Sequence, residues 1–141
     1  MKLTKNFKME EFCRSNTAVA KGLKNVPGPT EVISLSKLAE NLLQPLRDYY
    51  GKPMNVNSGF RSPEVNKAVG GVASSQHLKG QAADIRCENP RELLTLLRSP
   101  ASGLMWDQAI LYDDGRNRFL HLSYVDRNNR QQVLYSKGTQ P

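Results

Sequence analysis

The chain carries two histidines, His77 and His121, and each falls in a segment rich in polar or glycine residues. In SSQHLKGQAADI, His77 lies seven residues before Asp84, with Gly80 between them. In FLHLSY, the period-two alternation of a strand places Leu120 and Leu122 on one face and Phe119, His121 and Ser123 on the other. By the same rule Ala82, Asp84 and Arg86 share a face of their own strand. If the two strands are neighbours, Asp84 and His121 converge, and His77 reaches back from the loop that enters the first strand. Gly80 permits the tight turn this requires, with a positive φ. Two imidazoles and one carboxylate are a donor set suited to catalytic zinc, which takes N and O ligands at about 2.0–2.2 Å and leaves its fourth position to water. Such an ion lowers the pKa of that water to about 7 and polarises a carbonyl under attack. Spacing alone leaves equal room for surface histidines and for an Asp84 paired with Arg86 or Arg61.

The elements that must position these residues follow from pattern and punctuation. Met9–Arg14 reads as a short helix, followed by a second turn over Thr17–Gly22 and a loop at Asn25–Thr30 (NVPGPT). Glu31–Tyr50 carries a helical apolar stripe through Ile33, Leu35, Leu38, Leu42, Leu46 and Tyr49, stops at Gly51, and is kinked or restarted by Pro45. Met54–Ser58 alternates as a strand, and Ser62-Pro63 opens a helix that ends at Gly70-Gly71. Gln81–Cys87 is a strand, and Asn89–Arg98 a helix with capping-box spacing. The pattern then turns to strands at Asp107–Tyr112, Arg118–Tyr124 and Arg130–Ser136. Helices early and strands late predict an α+β fold with a mostly antiparallel sheet.

At 141 residues the chain fits one domain, here taken as residues 1–141 with a single core. Its 38% hydrophobic and 23% charged residues exclude a disordered composition, and no apolar run is long enough for membrane insertion. The start, MKLTKNFKMEEF, has no apolar h-region, so no secretory signal is expected. Two cysteines make neither a disulfide framework nor a CxxC pair. A net charge of +7 favours anionic partners, but the Lys and Arg residues are dispersed, which argues against a specific nucleic-acid site. A monomer is expected.

The stretch SGFRSPEVNKAVGGVASSQHLKGQAADI resembles the zinc D-Ala-D-Ala carboxypeptidase family of cell-wall peptidases, whose SxHxxGxAxD motif is followed by a His on a C-terminal strand. The EEF start, the LAENLLQPLRDYYGKP helix, WDQAILY and HLSY continue the likeness, which is strongest to the compact branch common in phages and prophages. The resemblance implies zinc held by His77, Asp84 and His121, and a peptidoglycan stem peptide cleaved next to a D-amino acid. It also implies a small antiparallel sheet flanked by helices, shared with hedgehog-type domains. A phage origin would keep the protein in the cytoplasm until lysis.

Arg61 matches the family's arginine near the substrate, where a planar guanidinium reads a carboxylate or peptide oxygen; a salt bridge to Asp84 or Glu64 is the structural alternative. Ser75 matches a substrate-contacting serine, and a turn hydroxyl bonded to local backbone is the other reading. Many relatives place an acid three residues before the last His, and here Arg118 stands there. The compact branch places an acid at the end of the preceding strand instead, so the resemblance implies Asp113 in the acid/base role a zinc peptidase needs; Asp107, Ala109, Leu111 and Asp113 share a strand face expected to turn toward the metal, and Asp114 is the fallback. That departure also motivates a second reading, a zinc-containing module that binds wall peptide without cutting it. Trp106 and Cys13 read as core, and Cys87, three residues past Asp84, faces away from the metal.

Overall fold

The computed structural model describes residues 1–141. Two short helices, α1 (Met9–Cys13) and α2 (Asn16–Lys21), lead into α3 (Pro29–Leu38). The helix begins two residues earlier than the loop reading of NVPGPT suggested. Pro29 takes the first helical position, and Glu31 reaches back to accept the Gly28 N–H at 3.0 Å. Pro45 restarts the long helix. Ala39–Leu43 widens into a π-helical turn, and α4 (Gln44–Tyr50) begins with Pro45 in its first turn, because proline can neither donate its i−4 bond nor tolerate that carbonyl. The expected apolar stripe is only partly inward: Leu35, Leu38, Leu42 and Leu46 are fully buried, whereas Ile33 and Tyr49 face solvent.

Five strands follow among the remaining helices: β1 (Met54–Ser58), α5 (Pro63–Ala68), β2 (Ala82–Cys87), α6 (Pro90–Arg98), β3 (Gln108–Asp113), β4 (Arg118–Ser123) and β5 (Gln132–Tyr135). They form one sheet in the order β1-β2-β4-β3-β5, antiparallel except where β5 runs parallel to β3. This is the small, mostly antiparallel α+β sheet the pattern predicts. Ala83, Ile85, Ala109, Leu111, Leu120 and Leu122 point from it into one hydrophobic core with α4 and α6, whose Leu93, Leu94 and Leu97 are also buried there. Trp106 belongs to that core, and Cys13 and Cys87 pack against it as free thiols. No helix is long and apolar enough to cross a membrane.

One side of the sheet is thus committed to apolar burial. The other carries the polar residues of β2 and β4, covered by the Gly59–Ser62 segment and a 3₁₀ turn at Gln76–Lys79. These two coverings are tied together by the Arg61 N–H donating to the His77 carbonyl at 3.1 Å.

Candidate metal centre

Asp84 and His121 are directly opposed in the β2–β4 ladder, on the face away from the core. Opposed side chains in an antiparallel pair lie about 4.5–5.5 Å apart at Cβ. Here the carboxylate and ring meet, with Asp84 Oδ1 2.9 Å from His121 Nδ1. His77 arrives from the 3₁₀ turn, its Nε2 3.5 Å from the same oxygen and its ring edge-on to that of His121, centroids 5.2 Å apart. The donor atoms of the three residues all lie within 4.8 Å of one another.

The turn that delivers His77 is built from local chemistry. Ser75 caps it by accepting the His77 N–H at 3.2 Å, and Gly80 closes it at φ +69°. A Cβ on Gly80 would stand 2.6 Å from the Glu31 carbonyl oxygen, so glycine is required both for the left-handed backbone and for close approach to α3. Behind the turn, Gln76 Nε2 donates to Asp107 at 3.0 Å, and Asp107 also accepts from the Arg130 backbone N–H, Nε and Nη2. Those bonds, Arg130's guanidinium foremost, bring the Asp107 carboxyl down to about 2.

Electrostatics and tautomer both suit a cation. His77 Nδ1 lies 2.6 Å from the Gly59 carbonyl, which can only accept, so Nδ1 carries the proton and Nε2 turns a lone pair toward Asp84. Fixing one ring nitrogen on a carbonyl is the way a metal-ligating histidine is oriented. Gly59 can lie there because it has no side chain, since a Cβ would come 2.7 Å from the Phe12 backbone. Burial would raise the Asp84 carboxyl, but the hydrogen bond to His121 outweighs it and holds the group well below the usual carboxylate range. Two imidazoles, one with its tautomer locked, and an ionised buried carboxylate match the N/O donor set of a zinc site.

The remaining expected residues divide. Arg61 stands beside the cluster, with Nη2 3.7 Å from Asp84 Oδ2 and longer bonds of 3.4 Å to Ser58 Oγ and Asn66 Oδ1. Ser75 is close, but its hydroxyl serves the turn. Asp113 is not at the cluster. It pairs with Arg118 in the register that sets Leu111 opposite Leu120, so it lies on the core-facing side of the sheet, beside α6, where Arg91 Nε donates to it at 2.7 Å. Ala109, Leu111 and Asp113 do share a face of β3, but it is the face opposite His121, while Asp107 precedes the strand and turns its carboxylate to Gln76. Asp114 accepts the N–H groups of Arg116 and Asn117 and acts as a turn-former.

The cluster's own face of β3 is taken by a residue that the sequence leaves open between bordering substrate and simply packing. Tyr112 stands there, opposite Phe119, and the two rings stack with centroids 4.3 Å apart. Strand parity relative to His121 was the available signal, and it needed the β3–β4 register to be read.

A model described as Peptidase M15 matches residues 5–123, a span that includes all three clustered residues. The zinc D-Ala-D-Ala carboxypeptidase of Streptomyces albus G is 50% identical over 44 residues, which cover 30% of this chain and only 17% of that protein's length. With a match running through most of its length and through every donor of the cluster, the protein belongs to the peptidase M15 family.

Proposed function

We propose that the protein is a zinc-dependent peptidase that hydrolyses peptidoglycan stem peptides next to a D-amino acid, with His77, Asp84 and His121 as the metal ligands. The observation that carries this reading is the convergence of three donors within 4.8 Å, with His77 Nε2 aimed inward because Nδ1 is tied to Gly59. Bound there, zinc supplies Lewis acidity to a carbonyl and brings the pKa of water to about 7. The protein's own groups do the rest. Arg61, only loosely held by its neighbours, turns its guanidinium to a substrate carboxylate or carbonyl oxygen. Burial, and after it the Asp84 charge, raise the Tyr112 phenol, so it stays protonated and can donate a hydrogen bond to the oxygen on which charge develops. The Tyr112–Phe119 stack holds that phenol in place and excludes water from one side of the cleft.

The relative from Streptomyces albus G supports the choice of a D-Ala-D-Ala peptide as first substrate. Purified protein with zinc is incubated with a defined stem pentapeptide, and released D-alanine is measured. Zinc-dependent release supports the reading. One observation favours a second reading, a wall-peptide binding module: Asp113 is turned to the other side of the sheet, away from the cluster. In that case the same peptide binds the zinc-loaded protein and leaves it uncut.

A further inference from the structure

Beside the cluster lies a cavity of about 270 Å³ that Asp84 and Arg61 line from one side and the α1–α2 connection lines from the other. Its polar lining includes Arg14, Ser15, Asn57 and Ser58. Asn57 is presented there by an irregularity in β1, where the register slips between Val56 and Ser58 and leaves Asn57 out of the ladder. Arg14 is exposed and has no ion pair or side-chain hydrogen bond within the chain, and every side-chain contact of Arg61 is 3.4 Å or longer. Two guanidinium groups against one carboxylate leave the cavity net positive. The volume falls below the roughly 300–1,000 Å³ that encloses a drug-sized ligand, so it suits one small residue rather than a continuing chain.

We propose that Arg14 is a specificity-determining residue, which with Arg61 forms a two-guanidinium subsite for the free carboxylate of the residue released by cleavage. The proposal rests on the peptidase reading and deepens it: the protein removes a terminal residue and discriminates against a blocked or extended C-terminus. Arginine suits the role because its planar fork gives charge-assisted, bidentate bonds to a carboxylate, and an uncommitted guanidinium gives up no internal partner when it binds.

The first test needs no turnover. N-acetyl-D-alanine and its C-terminal amide are titrated into the metal-free protein, and binding is followed by NMR through the Arg14 and Arg61 Nε–H signals. The acid is expected to bind and shift both signals, the amide to bind at least about tenfold more weakly, and Arg14→Gln to reduce acid binding about tenfold or more without changing the melting temperature. Equal binding of acid and amide, or an Arg14→Gln variant that binds the acid as wild type does, overturns the proposal. The second test uses a stem pentapeptide with a free or an amidated C-terminus and the zinc-loaded protein. Arg14→Gln should raise KM for the acid, spare kcat, and leave the amide unaffected. If wild type cuts neither peptide yet the acid still binds through Arg14, the peptidase reading fails and the carboxylate subsite stands.

Discussion

Replacing Asp107 with Asn should destabilise the protein by about 2–3 kcal/mol at neutral pH. Asp107 is 3% exposed and accepts four hydrogen bonds, three from Arg130 and one from Gln76. Its carboxyl sits at about 2 instead of an ordinary 3.8. At about 1.4 kcal/mol per pH unit, that difference corresponds to roughly 2 kcal/mol of stability. Asn also turns an amide N–H₂ toward a guanidinium that can only donate, which adds to the loss. Arg130 is half exposed and can rehydrate, so the total stays below the roughly 3–5 kcal/mol of a fully buried broken pair. Urea unfolding and calorimetry should show this as a melting temperature lower by about 6–12 °C. The sign of the pH dependence follows from the lowered pKa. The contribution is present above the unfolded value near 3.8 and is lost as pH falls through about 2. The gap between wild type and Asp107→Asn should therefore be constant from pH 7 to 5 and narrow steadily below pH 4. A gap that stays the same down to pH 2.5, or a variant within about 0.5 kcal/mol of wild type at pH 7, refutes the reasoning.

Four further outcomes are expected. His121→Ala should lower zinc affinity by more than the roughly 10–100-fold of a supporting-residue change and remove zinc-dependent hydrolysis, read by metal analysis and D-alanine release. Tyr112→Phe keeps the stack on Phe119 but loses the phenol donor; kcat should drop about a hundredfold with the melting temperature unchanged, and an unaltered kcat removes Tyr112 from the chemistry. Asp113→Asn should leave kcat within about twofold of wild type and cost less than about 1 kcal/mol, since it breaks a partly exposed pair with Arg91 on the far side of the sheet. Gly80→Ala should destabilise by more than about 2 kcal/mol, combining a strained left-handed backbone with a Cβ driven against the Glu31 carbonyl, and thermal melts will measure it.

Much of this protein is legible from residue type and spacing because the interactions concerned are local. The alternation of FLHLSY decides that His121 leaves the core face, and Ser75 and Gly80 build the turn carrying His77 from bonds within a few residues. Ser62-Pro63 and Asn89-Pro90 mark helix starts through caps that the structure contains, Ser62 accepting from Val65 and Asn89 from Glu92. What no spacing contains is the register between strands distant in the chain. Only the β2–β4 ladder sets Asp84 opposite His121, and only the β3–β4 ladder shows that Asp113 keeps company with Leu111 and Arg118 while Tyr112 takes the cluster's face. A strand alternates identically whichever way it is turned, so one residue of parity decides whether a carboxylate meets the clustered histidines or an arginine on α6. The approach of the Gly59 carbonyl to His77, and the meeting of Arg14 and Arg61 around one cavity, depend likewise on packing between segments tens of residues apart, and that is settled by burial of the shared core rather than by any local pattern.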